Sequence, residues 1–166
     1  MIEKPYPHSL THIGITVSDI EEAIDWYQDV FGWSLLKGPR TATERDGYGG
    51  KRALDVLGEF SEMRVAHLIT GNKIGIEFFE FSGTEGSNTT DIKQPGFFHV
   101  CVVDPNVEEL AERIDESGGE HYSNIWRLHE EDEDHLLTYC KDPYGNLIEI
   151  YSHSHEQMHL AGPDTL

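Results

Sequence analysis

Basic residues are scarce in this chain of 166 residues. Twelve Lys and Arg residues stand against thirty-one Asp and Glu residues, which gives a formal net charge of −19. Nucleic acids and anionic membranes are bound through basic patches, so the composition argues against both as partners. The acidic excess predicts a well-solvated surface, and it is also typical of proteins adapted to high salt.

Long hydrophobic runs and cysteines are scarce as well. No segment approaches the roughly 20 apolar residues of a membrane span, and the start at Met1 lacks the basic and apolar stretches of a signal peptide. The two cysteines, Cys101 and Cys140, form no spacing motif, and Cys101 lies in an apolar run. We therefore expect a cytoplasmic protein without a disulfide framework and with a buried thiol at Cys101.

The chain contains two copies of one pattern. Residues 10–17 predict a strand, residues 18–21 form a capping box that opens a helix, and Gly32 ends that helix. Residues 97–103 predict a second such strand. Residues 104–119 predict a second helix, which a Pro opens and two Gly residues end.

Each helix is followed by three predicted strands, so each half has the order βαβββ. The strands are expected near residues 33–37, 63–70 and 73–81, and again near 122–128, 135–141 and 147–151. A Gly-Asn pair precedes the last strand of each half, which is typical of a hairpin. The predicted fold class is α+β.

The pattern divides the chain into four segments. We expect a first module at residues 1–82, a linker at 83–96, a second module at 97–152 and a tail without a clear strand pattern at 153–166. The first module carries an insertion at residues 38–62 that is rich in Gly and charge. It is compatible with a loop over a site, a short helix or a surface excursion.

A His and a Glu recur at matching places in the two halves. Side chains alternate along a strand, so His12 and His99 both project away from the helix layer. Glu77 and Glu149 lie five and three residues after the Asn of their turns. The two spacings differ by an even number of residues, so both Glu side chains are expected to have the same facing relative to their turns. Alternation also separates Glu77 from its neighbour Glu80.

Two imidazoles and two carboxylates suit one divalent ion, because they neutralise its charge and leave positions for water or substrate. Such N and O donors favour Zn, Ni, Co, Fe(II) or Mn, and the thiolates of a structural zinc site are missing. Any one of these residues alone is more often a solvated side chain. The recurrence in both halves supports a metal site of His12, Glu77, His99 and Glu149.

The sequence resembles the vicinal oxygen chelate superfamily, which includes glyoxalase I, methylmalonyl-CoA epimerase, extradiol dioxygenases and the fosfomycin and bleomycin resistance proteins. The resembling motifs are spread over residues 8–152: His12 to Asp19, Trp26-Tyr27, Phe31-Gly32-Trp33, Ile76-Glu77-Phe78, Phe98-His99-Val100 and Lys141 to Ile150. The ending Asp-Pro-x-Gly-Asn-x-Ile-Glu is the most specific. The resemblance implies paired βαβββ modules whose curved mixed sheet forms a cup around one divalent metal, with helices outside.

The resemblance also implies roles for the four residues. His12, Glu77, His99 and Glu149 match the metal ligands of the glyoxalase I and epimerase branch. That branch forms an enediolate or enolate on a small oxygenated substrate, with a ligand carboxylate as the base. The resemblance favours Glu149 as that base, with Glu77 as the alternative, and it implies a homodimer.

Two other functions stay open. An extradiol-type dioxygenase holds Fe(II) with two His residues and one carboxylate, so Glu77 would be an extra carboxylate there. A resistance-type protein sequesters a small molecule with or without metal. The chain shows no clear glutathione-binding pattern, which argues against lactoylglutathione as the substrate.

Several further residues have weaker claims. His67 shares its face with Val65 and Ile69, which predicts a core or site-wall histidine. The side chains expected to wall the cup are Phe79, Phe81 and Tyr151. Three cations are candidates for gripping an anionic group, with a surface role as the default: Arg64, Arg127 and Lys141. The tail histidines are expected on the surface: His153, His155 and His159.

Overall fold

A computed structural model describes residues 7–83, 85 and 91–160 of the chain. The chain divides into two compact units, Met1–Glu85 and Gly86–Leu166. Parts of the predicted linker and of the predicted tail lie outside the described residues. Among the helices that the structure describes, none has the length and apolar character needed to cross a bilayer.

The first unit has a four-stranded mixed sheet in the order β1-β4-β3-β2. Its elements are β1 (His12–Thr16), α1 (Ile20–Phe31), β2 (Ser34–Ala42), α2 (Gly47–Leu57), β3 (Met63–Ile69) and β4 (Gly75–Phe81). Strand β1 runs parallel to β4, while β2, β3 and β4 pair antiparallel. The predicted βαβββ order is confirmed. The insertion at 38–62 is part strand and part helix, because β2 continues into it and α2 follows.

Helix α1 ends at Gly32 as predicted and begins one residue later than the predicted capping box implies, with Asp19 in place of Ser18 as the N-cap. The Asp19 carboxylate accepts a hydrogen bond from the Glu22 N–H at 3.0 Å, and the Glu80 carboxylate accepts one from the Ile20 N–H at 3.0 Å. These bonds satisfy N–H groups that lack a partner within the helix. Gly32 ends the helix in the left-handed region with φ 66°. The apolar stripe of α1 is buried at Ile20, Ala23, Ile24, Tyr27 and Val30.

The second unit has a five-stranded mixed sheet in the order β5-β9-β8-β6, with β7 also paired to β8. Its elements are β5 (His99–Val103), α3 (Val107–Glu116), β6 (Glu120–His121), β7 (Trp126–Arg127), β8 (Leu136–Lys141), β9 (Leu147–Tyr151) and α4 (His155–Leu160). Strand β5 runs parallel to β9, as β1 does to β4. The α+β class and the duplicated order are therefore confirmed.

Two details of the second unit differ from the prediction. In place of the single strand expected at 122–128 there are two short strands, β6 just before that range and β7 within it. Between them the Ser123 hydroxyl oxygen accepts a hydrogen bond from the Tyr139 N–H at 3.0 Å, where a backbone carbonyl would accept it in a continuous strand. The tail contains helix α4, which the sequence analysis missed. Only Met158 of α4 is buried, so the segment shows no helical stripe.

Strand β2 approaches β3 closely at Gly38. The backbone of Gly38 has φ +96°, and a Cβ there would lie 2.6 Å from the Val65 carbonyl oxygen. Both the conformation and the contact exclude a side chain. Gly49, inside the exposed helix α2, has open space where its Cβ would be. The backbone therefore requires glycine at position 38, whereas position 49 has room for a side chain.

We expect Gly38→Ala and Gly49→Ala to change stability in opposite directions. Gly38→Ala should lower the free energy of unfolding by about 1–3 kcal/mol, because alanine is strained at positive φ and clashes with backbone. Gly49→Ala should raise it by roughly 0.5–1 kcal/mol through helix propensity. Urea unfolding followed by circular dichroism measures both. Equal stability of Gly38→Ala and the unsubstituted protein would contradict the described packing of β2 on β3.

Candidate metal centre

In the first unit, strand pairing brings His12 beside Glu77. Gly14 on β1 is the register partner of Glu77 on β4, and His12 lies two residues earlier on β1. The His12 Nε2 is 3.6 Å from the Glu77 Oε2. On the other side of β4, Ile76 and Phe78 are buried at 2% and 0% exposure. The pair thus lies on the face turned away from the core.

Glu80 occupies that opposite side, as strand alternation predicts. Its carboxylate binds the Ile20 N–H and lies 3.2 Å from the Arg64 guanidinium. Arg64 also pairs with Glu21, and this bond lowers the pKa of the Glu21 carboxyl. Glu80 is therefore used in anchoring α1, which leaves Glu77 as the carboxylate of the outer face.

The second unit repeats the arrangement. Cys101 on β5 is the register partner of Glu149 on β9, and His99 lies two residues before Cys101. The His99 Nε2 is 3.2 Å from the Glu149 Oε2. In both units a His on the first strand thus reaches diagonally across a parallel pair to a Glu on the last strand.

The turn from β8 to β9 fixes the position of Glu149. The buried Asp142 carboxylate accepts hydrogen bonds from the backbone N–H groups of Tyr144 at 3.0 Å and Asn146 at 2.7 Å, and from the Asn146 side chain at 2.8 Å. Gly145 supplies the positive φ of 81° that the turn needs. These contacts set the register in which Tyr139 lies opposite Glu149.

The corresponding turn from β3 to β4 is built differently. The Thr70 hydroxyl oxygen accepts a hydrogen bond from the Ile74 N–H at 3.0 Å, and Lys73 takes the positive φ of 67°. The hairpin predicted from Gly71-Asn72 is present, because β3 and β4 pair antiparallel on either side of it. The result is a register in which His67 lies opposite Glu77.

The two carboxylates have different surroundings. The Glu77 side chain is 29% exposed, and its Oε1 lies 3.2 Å from the His67 Nδ1. The Glu149 side chain is 7% exposed. His67 therefore lies beside the His12–Glu77 pair on the same face of the sheet. The sequence predicted a core or site-wall histidine at this position. Only the cross-strand register reveals its contact with Glu77.

Three protic side chains surround Glu149: Cys101, Tyr139 and Tyr151. Desolvation and the Glu149 carboxylate raise the pKa of the Tyr139 hydroxyl well above its ordinary value. The same causes raise the pKa of Tyr151 to about 12 and that of the Cys101 thiol to about 12. All three therefore stay protonated at neutral pH and are available as donors to Glu149.

Cys101 itself is exposed, so the prediction of a buried thiol there is wrong. It shares the outer face of the sheet with His99, and its apolar neighbours Val100 and Val102 lie half-buried on the other face. The buried cysteine is Cys140, on the face of β8 that packs in the core.

Aromatic packing holds the His99 ring. The Phe98 ring lies 4.4 Å away between centroids, and the Tyr139 ring lies 5.9 Å away, both edge to face. The His99 Nδ1 is buried and makes no hydrogen bond to any part of the chain that the structure describes. Ring contacts thus orient this imidazole, where metal-bound histidines commonly use a hydrogen bond.

The spacing of the two His–Glu pairs can be compared with that of two donors on one metal ion. Donors bound about 2.1 Å from an ion at roughly 90–110° to each other lie about 3.0–3.4 Å apart. The His99–Glu149 separation of 3.2 Å falls within this range, and the His12–Glu77 separation of 3.6 Å is slightly wider. Among residues 7–83, 85 and 91–160, no three or more His, Cys, Asp or Glu side chains are arranged to hold a metal. Each described pair by itself therefore presents two donors.

The three cations considered as anion grips already have acidic partners. Arg64 binds Glu21 and Glu80, as described above. Arg127 lies 3.7 Å from Glu133, and Lys141 lies 2.8 Å from Glu120 and over the Tyr122 ring. Such pairing supports the surface role that the sequence analysis took as the default.

The tail histidines lie near one another and near the β7–β8 loop. His155 and His159 are one turn apart on α4, with ring centroids 4.2 Å apart. The His153 ring is 4.3 Å from the His135 ring, and the His135 Nδ1 is 2.9 Å from the Asp132 carboxylate. The cluster follows Glu149 closely in sequence, and the rings of His155 and His159 lie 6.4 Å and 6.3 Å from that of Tyr151.

Comparison with known proteins identifies a family and several structures that resemble this chain. Residues 9–150 match the model of the Glyoxalase/Bleomycin resistance protein/Dioxygenase superfamily. No curated protein sequence gives a significant match. Similar solved structures include a glyoxalase family protein from Bacillus cereus, which is 19% identical with a TM-score of 0.69 over 91% of this chain and 97% of that one.

Two further structures are similar over most of this chain. Glyoxalase I from Zea mays is 22% identical with a TM-score of 0.61, and the match covers 87% of this chain and 44% of that one. A mutant fosfomycin resistance protein from Listeria monocytogenes, complexed with Mn(II) and 1S,2S-dihydroxypropylphosphonic acid, is 17% identical with a TM-score of 0.54. That match covers 95% of this chain and 98% of the Listeria protein. At these identities the likeness shows the fold.

We expect Glu149→Gln to make the Cys101 thiol more reactive in the metal-free protein. Removing the negative charge lowers the pKa of Cys101, so more thiolate forms between pH 8 and 10; each unit of decrease gives about tenfold more thiolate. Iodoacetamide labelling with peptide mass spectrometry measures the rate at Cys101. Glu112→Gln, on the exposed side of α3, is the control and should leave the rate unchanged. Equal labelling of both variants would show that Glu149 does not influence the thiol.

Proposed function

Because the chain belongs to the Glyoxalase/Bleomycin resistance protein/Dioxygenase superfamily, we propose that it is a divalent-metal-dependent enzyme of the glyoxalase and epimerase type. The proposed reaction removes a proton beside a carbonyl group of a small oxygenated substrate and passes through an enediolate or enolate. The observation that carries this proposal is the duplicated His–Glu pair, with donor separations of 3.6 Å in one unit and 3.2 Å in the other.

The proposed metal ligands are His12, Glu77, His99 and Glu149. Each unit contributes one imidazole and one carboxylate, a set that suits Zn, Ni, Co, Fe or Mn. When bound, the metal supplies a Lewis acid that favours the enolate form of a substrate bound through adjacent oxygens. The manganese in the Listeria relative supports this assignment. Exchange of modules between two chains would make the protein a homodimer, as the resemblance implies.

The carboxylates are the proposed proton acceptors. Resemblance to glyoxalase I favours Glu149. The hydroxyl groups of Tyr139 and Tyr151 are available to donate hydrogen bonds that orient its carboxylate. Glu77 is the alternative, since its side chain is more exposed and its Oε1 is within reach of His67. A base must meet the proton that it removes, so accessibility supports Glu77 while fixed orientation supports Glu149.

Metal analysis tests the ligand assignment. Protein purified without chelators should hold one Ni, Co, Zn or Mn ion per set of four donors. His12→Ala and His99→Ala should each weaken metal binding at least tenfold, because each removes a nitrogen donor. His159→Ala on α4 is the matched control and should bind normally. Mass measurement in solution shows whether the set forms in a monomer or a dimer.

Metal analysis also distinguishes the two alternative functions, a dioxygenase and a sequestering protein. Bound Fe(II) together with oxygen consumption in the presence of a catechol would support a ring-cleaving dioxygenase. Failure to bind any added divalent ion would contradict the enzyme proposed here and support a protein that sequesters a small molecule.

Proton exchange tests the role of the carboxylates. In D2O, NMR should show exchange at the carbon beside the carbonyl in a panel of 2-oxoaldehyde hemithioacetals and 2-methyl-branched acyl thioesters. Glu149→Gln should slow that exchange by about 10²–10⁴-fold, the usual contribution of a general base. A larger loss in Glu77→Gln would assign the base to Glu77. Unchanged exchange in both variants would overturn the mechanism.

A further inference from the structure

Positive charge is concentrated in one segment of this acidic chain. Five of the twelve Lys and Arg residues lie between positions 37 and 52, against two of the thirty-one acids. The five cations are Lys37, Arg40, Arg45, Lys51 and Arg52. The segment covers most of β2 and the start of α2, so the first unit carries a basic patch where the surrounding composition is strongly negative.

Strand register places Lys37 in line with the first His–Glu pair. Gly14 pairs with Glu77, Glu77 with His67, and His67 with Lys37. Register partners on neighbouring strands project from the same face of a sheet. Lys37 therefore belongs to the face that carries Glu77 and His67, two strands away from Glu77.

Arg40 joins Lys37 on that face because β2 contains a bulge. Lys37 pairs with His67 and Arg40 pairs with Val65, so three residues on β2 match two on β3. The extra residue restores the facing that strict alternation would have reversed. Beside Val65, the register continues to Phe79 on β4, which puts an apolar row next to the charged one.

Lys37 and Arg40 are exposed, and no carboxylate of the described residues lies within ion-pair distance of either. They differ in this from Arg64, Arg127 and Lys141, which all have acidic partners. The other cations of the segment also have no ion pair among the described residues, so it is position on the face of Glu77 that distinguishes Lys37 and Arg40. In a chain with so many acids, two adjacent unpaired cations leave a place that an external anion can fill.

The distance suits one small molecule. Neighbouring strands lie about 4.8 Å apart, so the backbones at Glu77 and Lys37 are separated by roughly 10 Å. We propose that the substrate carries an oxyanion group, such as a carboxylate or a phosphate ester, which Lys37 and Arg40 bind while its adjacent oxygens lie at the His–Glu donors. This inference rests on the proposed metal-dependent function and names the substrate class of that same site.

Paired hydroxamates test the proposal by binding alone. Butanohydroxamic acid chelates metal through two adjacent oxygens and is neutral at its far end, whereas the hydroxamate of succinic acid has the same length and ends in a carboxylate. Calorimetry on the metal-loaded protein at low salt should give a Kd about tenfold lower for the carboxylate twin. Longer members of both series show which chain length best spans the distance between the metal and the two cations. Members that end in a phosphonate show whether a phosphate-like group is preferred to a carboxylate.

Variants assign the difference to particular residues. Lys37→Gln and Arg40→Gln should each reduce the carboxylate advantage several-fold and leave the Kd of the neutral twin unchanged. Lys37→Arg keeps the charge and should retain most of the advantage. Lys51→Gln removes a cation from the same segment, but from α2, and is the control for general electrostatic attraction. The advantage should also diminish with added salt, because exposed charges are screened.

The outcomes separate this inference from the function on which it rests. Equal affinity of the twins, or a carboxylate advantage that survives both Gln substitutions, overturns the oxyanion site. If the neutral twin binds only when metal is present and the twins are equal, the metal site stands without the oxyanion site. If the neutral twin shows no metal-dependent binding, the proposed function fails, whatever the carboxylate does.

Discussion

The parallel pairing of the first and last strands in each unit is the constraint on which the candidate site depends. It sets the residue two positions after the His opposite the Glu, so that imidazole and carboxylate meet diagonally. A register shift of one residue would turn Glu77 or Glu149 into the core. The turns before β4 and β9, the second of them held by the Asp142 carboxylate, therefore set the position of both Glu residues.

The two halves keep the same donors but surround them differently. Glu149 is enclosed by protic side chains that remain protonated, while Glu77 is open to solvent beside His67. Duplication supplies a symmetric pair of donors, and divergence of their neighbours gives each carboxylate its own environment. Differences of this kind allow one carboxylate to remain a ligand while the other handles a proton.

The charged side chains of the protein differ in whether they form ion pairs. Among the described residues, ion pairs with acidic side chains are made by Arg64, Arg127 and Lys141, and Arg64 uses two such partners to tie α1 to the sheet. Lys37 and Arg40 lie instead on the outer face of β2 with no acid beside them among the described residues. In a protein with a net charge of −19, these two cations without an ion pair make this face of the first unit attractive to anions.

Features that depend on near neighbours in the chain could be predicted from the sequence alone. Alternation along a strand separated Glu77 from Glu80, and capping residues located both ends of α1 to within one residue. Tertiary structure decided the contact of His67 with Glu77 and the alignment of Lys37 with both, because each requires pairing between strands far apart in sequence. A bulge reverses the alternation of side chains along a strand and leaves no periodic pattern in the sequence. The face on which the cations of β2 lie could therefore not be predicted from the sequence of β2 alone.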